Sequence, residues 1–123
     1  MKTELPKLSF RDNDPLQDYY NDGLGNSWSV ARLVDAAKEL EPFDMPIAGI
    51  DLDAKIWEGS NMFMLAFHVK KVNEADLSSP IILDWNGSVA DGRHRIIKAI
   101  IQGKRTIKAV RLQHKLEPDR EAS

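Results

Sequence analysis

Apolar residues recur along this chain at two different intervals. Val30, Leu33, Val34, Ala37 and Leu40 are spaced three or four apart, the interval that places side chains on one face of a helix. Asn26, Ser27 and Ser29 ahead of them supply N-cap chemistry, and Pro42 ends the pattern. Residues 45–50 form a short apolar run between turn formers and predict a buried strand, followed by a connection over 51–58 with an extended piece at 54–57. Ser60 or Asn61 can cap a second helix whose inner stripe is Met62, Leu65, Ala66, Val69 and Val72, widened by Phe63 and Phe67. Residues 80–84 read as a strong strand. Asn86-Gly87 then gives the hairpin signal of two residues that tolerate positive φ, and residues 88–90 return as the partner strand. A third helix begins at Arg93 or His94 with Ile96, Ile97, Ile100 and Ile101 facing inward, and Gly103 stops it at the usual position. Residues 106–112 alternate with period two and predict the last strand.

Outside these elements the pattern breaks down. Residues 1–26 are rich in Pro, Gly, Asp and Asn and predict a loose arm, with Leu8, Phe10, Tyr19 and Tyr20 available to pack on the body. Residues 113–123 predict a frayed polar tail. The expected organisation is a single α/β (α+β) domain over 27–112, with a small mixed sheet and about three helices.

Composition narrows the chemistry. The 123 residues suit one domain with one core rather than two. The absence of cysteine excludes disulfides, thiolate nucleophiles and cysteine zinc sites. Lys plus Arg number 17 against 19 Asp plus Glu, so there is no global positive field for nucleic acid, although Lys104, Arg105, Lys108, Arg111, Lys115 and Arg120 make the last third locally basic. No apolar run reaches a membrane span of about 18–20 residues and the N-terminus lacks a signal-peptide core. A cytoplasmic protein is expected.

The candidate site is Asp91-Gly92-Arg93-His94-Arg95, where a strand turns into a helix. Gly92 permits a sharp bend and a close ligand approach. The first helical amides have no intrahelical partner and favour an anion. Arg93 and Arg95 add charge able to grip phosphate oxygens, and His94 can hydrogen bond or move a proton near neutral pH. The same residues also suit a structural role, with Asp91 as a cap and the arginines paired to Asp84 and Glu58. Elsewhere, His68 reads as a half-buried structural histidine, His114 as solvated, Asp51 and Asp53 as turn formers, and Trp85 as a core cover. The three histidines have no metal-ligand spacing.

Residues 80–83, Asn86-Gly87, Val89-Ala90-Asp91-Gly92-Arg93-His94-Arg95, Ala99, Gly103 and residues 106–110 together resemble the core of the ParB/sulfiredoxin superfamily, best over 80–112. That core runs from Pro and an apolar strand through a short turn and a G-x-H-R-type turn into a helix, then a closing strand. The resemblance implies that Gly92, His94 and Arg95 belong to a nucleotide-phosphate turn flanked by Asp91 and Arg93, with ATP, ADP or CTP and accompanying Mg²⁺ as the ligand. Sulfiredoxin chemistry needs a cysteine in the turn and is not expected. The second phosphate motif and helix-turn-helix of ParB proteins do not follow in the sequence to Ser123, so a DNA-sliding clamp is not expected either. By likeness to the free serine kinases of the superfamily, a phosphotransferase or nucleotide hydrolase would need a carboxylate base, sought in Asp51, Asp53 or Glu58, with His94 as proton shuttle. The alternative is a non-enzymatic accessory module of a partition or regulatory system. Its contact would be with a protein or DNA, and the aromatic arm over 10–28 would suit a partner or a homodimer.

Overall fold

The computed structural model describes residues 5–10, 18–54 and 61–121. The order of elements is β1 (Tyr19–Asn21), β2 (Ser27–Ser29), α1 (Val30–Ala37), β3 (Phe43–Pro46), a 3-10 turn (Ile47–Gly49), α2 (Met62–Glu74), β4 (Ile81–Leu83), β5 (Val89–Asp91), α3 (Arg93–Ile101) and β6 (Thr106–Arg111). β1 and β2 form a two-stranded antiparallel ribbon. The other four make a mixed sheet in the order β3-β6-β4-β5, with β4 parallel to β6 and the remaining pairs antiparallel. The small α+β class expected from the sequence is the class observed.

Both faces of this sheet are covered, which is why Ile81, Ile82 and Leu83 are all buried. Successive strand side chains point to opposite faces. Ile82 and Val110 join Trp28, Tyr20, Leu33 and Leu112 on the α1 side, while Ile81, Leu83, Ile107 and Ala109 join Ile96, Ala99 and Ile47 on the α3 side. The single core expected from chain length is therefore two clusters separated by one sheet.

Several predicted elements shift. The strand expected over 45–50 lies at Phe43–Pro46, is an edge strand paired only to β6 and is largely exposed. Pro46 has no N–H to donate, and the chain turns into the 3-10 segment directly after it. Ser27–Ser29, expected as cap chemistry, is β2; Ser29 holds the cap position of α1 without a side-chain hydrogen bond. Asn61 does cap α2, accepting from the Met64 amide at 2.8 Å. The helix is rotated from its predicted orientation, though. Met62, Leu65 and Val69 are exposed, and Phe67, His68, Lys71 and Val72 face the body. Ile100 and Ile101 of α3 are likewise exposed, and Ala99 takes the buried position.

The tail expected to fray is tied to the body as far as Arg120. Trp28 Nε1 donates to the Leu116 carbonyl at 2.8 Å, the Asp119 carboxylate accepts from the Ser29 amide at 2.7 Å, and Arg120 bridges to Ser27. The N-terminal arm is partly built in as well, with Tyr20 buried and Phe10 packed against Phe63 and Phe67. The extended piece expected at 54–57 falls mostly outside the described residues.

Candidate functional site at the start of the third helix

The β4–β5 hairpin positions the site. Its turn is built by Asp84, whose carboxylate accepts from the amides of Asn86 at 2.8 Å and Ser88 at 2.9 Å and from the Tyr20 hydroxyl at 2.8 Å. Only Gly87 is left-handed; Asn86 is not. The connection is therefore a turn closed by Gly87 N–H to the Asp84 carbonyl, with the bulge-forming glycine after it, rather than a two-residue turn. β5 then runs into Gly92 and α3.

Gly92 has φ +111°, and a Cβ there would lie 2.5 Å from Ile81 Cγ2. The glycine is thus required on the core side, where the backbone crosses β4, and not merely to admit a ligand. Gly92 caps α3 with no side-chain hydrogen bond, and Ile96 N–H to its carbonyl is the first helical bond. The amides of Arg93, His94 and Arg95 accordingly lie ahead of the intrahelical ladder.

The two arginines have different roles. Arg95 donates to the Pro80 carbonyl at 2.8 Å and the Ser79 carbonyl at 3.2 Å and pairs with Asp91 at 3.0 Å. It ties α3 to the entry of β4, and it occupies Asp91, which therefore does not cap the helix. The structural role weighed from the sequence holds for Arg95, with Asp91 rather than Asp84 as its partner among the described residues. Arg93 has no hydrogen bond or ion pair with any described residue.

These residues open onto a cleft of about 560 Å³ between α3 and α2, lined also by Asp18, Phe67, His68, Lys71, Glu74 and Asp76. His68 Nδ1 lies 2.9 Å from His94 Nε2, and the two rings stack. Burial lowers the proton affinity of both imidazoles, and His68, Lys71 and Arg95 oppose a charge on His94 further. Asp18 is held above the usual carboxylate range by burial and by the Asp91 charge, against an opposing pull from Arg93.

The structure brings together Asp91, Gly92, Arg93, His94 and Arg95. It does not bring Asp51 or Asp53 to them: Asp51 accepts from the Asp53 amide at 3.1 Å in an exposed turn, and neither lines the cleft. Glu58 and Trp57 lie outside the described residues. Trp85 packs edge-on against Trp28 at 5.0 Å, a core cover as expected. Sequence reasoning missed Asp18, Lys71 and Glu74. Asp18 sits in the arm and carries no local motif; Lys71 and Glu74 become visible only when α2 is rotated by one face. Among the described residues no group of three His, Asp or Glu side chains could hold a metal ion, and no helix is long and apolar enough to cross a membrane.

No protein-family model, curated protein or solved structure matches this chain.

Proposed function

We propose that this cleft binds a phosphate-bearing ligand, a nucleoside phosphate above all, in a small cytoplasmic protein of ParB/sulfiredoxin-like plan. The observation that carries the reading is the opening onto one cleft of α3's start, whose cap makes no side-chain hydrogen bond, and of Arg93, which pairs with none of the described residues. A helix start favours negative charge, and Lys71 lines the opposite wall. The resemblance over 80–112 supports the same ligand class. Among the described residues Arg93, rather than Arg95, has no partner for its guanidinium. Mg²⁺ entering with a nucleotide would draw its ligands mainly from phosphate and water.

If a phosphoryl group is transferred or hydrolysed, the carboxylate available as base is Asp18, which lines the cleft and has a raised proton affinity, in place of Asp51. The positive groups would stabilise charge as it develops on the phosphoryl oxygens.

Calorimetric titration with ATP, ADP, CTP and GTP, with and without Mg²⁺, tests this reading. Wild type is expected to bind at least one of them, and Arg93→Ala to weaken that binding about tenfold or more, the scale of one charge-assisted contact, with unchanged melting. Absence of binding to every nucleotide at millimolar concentration sinks the proposal. Arg95→Ala is the wrong variant for this purpose, because it strands two carbonyls and Asp91. A phosphate-release assay then separates enzyme from binder.

The exposed Met62, Leu65 and Val69 on α2 favour the second reading, a module that contacts another macromolecule or a second copy of itself. A DNA gel shift at low and moderate salt tests its nucleic-acid form; no shift at either removes it.

A further inference from the structure

The wall between α2 and α3 is a contact between two imidazoles. His68 Nδ1 and His94 Nε2 are 2.9 Å apart, with ring centroids 5.2 Å apart and planes 21° from parallel. Two neutral imidazoles joined this way share one hydrogen, donated by one ring and accepted by the other. One further proton can be added without breaking the bond, because it goes to an outer nitrogen and leaves a single hydrogen between the rings. A second cannot, since both facing nitrogens would then be donors.

The surroundings decide whether that proton is held. From α2, Lys71 and Glu74 line the same cleft; from β5, Asp91; from α3, Arg93 and Arg95; from the flanking segments, Asp18 and Asp76. Most of the carboxylates are engaged: Asp91 pairs with Arg95, Glu74 with Lys70, and Asp76 accepts from the Ser78 amide and hydroxyl. Lys71 and Arg95 oppose a charge on His94, and Asp91, itself shared with Arg95, is the carboxylate that favours one; Arg93 adds a further cation to the cleft wall. An empty cleft therefore opposes a charge on the imidazoles, and an anion among these cations removes that opposition.

We infer that occupation of the cleft by a phosphate-class anion is coupled to uptake of one proton by the His68–His94 pair, so that affinity falls as pH rises through neutrality. The inference rests on the anion-binding reading of the cleft and adds how that site is regulated. Linkage sets the sign: if the occupied cleft holds more protons than the empty one, lowering pH tightens binding.

Sulfate is a suitable probe beside ADP, because it neither gains nor loses a proton near neutral pH, so any uptake belongs to the protein. Wild type is titrated calorimetrically with each between about pH 6 and pH 8, in buffers of differing ionisation heat. The expected result is affinity falling by up to about tenfold per pH unit, heats that track the buffer with close to one proton taken up, and ¹⁵N ring shifts of His68 and His94 moving toward the protonated form while His114 stays put. Binding with buffer-independent heats and a flat pH profile overturns the inference and leaves the anion site standing. Uptake without any change at the His68 and His94 rings overturns it too. Failure of both sulfate and ADP to bind overturns the anion site itself, and the inference with it.

Discussion

Gly92 and Asp84 do most to shape the candidate site, and neither needs to touch a ligand to do so. Gly92 lets β5 pass over Ile81 and turn into α3. Gly92→Ala places a methyl 2.5 Å from Ile81 Cγ2 at φ +111°, so both backbone strain and overpacking oppose it. The expected loss is about 2–4 kcal/mol, read as a lower urea midpoint at unchanged slope. Asp84 is buried and satisfied by three donors, one of them the Tyr20 hydroxyl. Burial and that bond push the Tyr20 phenol well above its ordinary value of 10.0. A raised pKa means that the folded state holds the proton more tightly than the unfolded chain. The stabilisation is thus complete below about pH 10 and is lost as pH rises beyond it. Thermal melts of wild type should fall above about pH 10 more steeply than those of Tyr20→Phe; parallel profiles would refute the assignment.

Among the elements, α2 departs furthest from its amphipathic pattern. Met62, Leu65 and Val69 are the most regular apolar series in that stretch, yet they face outward, and the inward face is the mixed set Phe67, His68, Lys71 and Val72. The orientation is held by contacts the pattern cannot contain: the His68–His94 bond, and Lys98 Nζ donating to the carbonyls of Asn73 at 3.0 Å and Ala75 at 2.6 Å. Leu65→Gln should therefore change stability by no more than about 0.5 kcal/mol, whereas burial of Leu65 in a core would make it several times costlier; chemical denaturation of the two proteins decides. α3 is more faithful to its sequence. Gly103 closes it with φ +71°, and the Lys104 amide reaches back to the Ala99 carbonyl at 2.9 Å, as a glycine stop implies.

The whole molecule is held together across its ends. The segment after β6 returns over the β1–β2 ribbon. Leu116 packs on the cluster around Trp28 and accepts its indole hydrogen, and Arg32 pairs with Asp119 at 3.1 Å. Trp28 is fully buried because of this closure. Deleting residues 113–123 is expected to expose part of the indole and strand its N–H, at a cost of about 2–4 kcal/mol, with a red-shifted tryptophan emission as the readout. Asp18, directly before β1 of the same ribbon, lines the cleft.

The sequence by itself determined the class of fold, the hairpin, the start and stop of α3, and the location of the Asp91–Arg95 turn. These depend on local signals: an apolar run between turn formers, and left-handed glycines in the hairpin and at the two ends of α3. Tertiary structure alone decided which face of α2 looks inward, that Arg95 is consumed by carbonyls while Arg93 is not, that His68 meets His94, and that Asp18 rather than Asp51 lines the cleft. Each of those pairs residues from separate elements. Pairing at that range is set by how the sheet and helices pack, and no spacing along the chain records it.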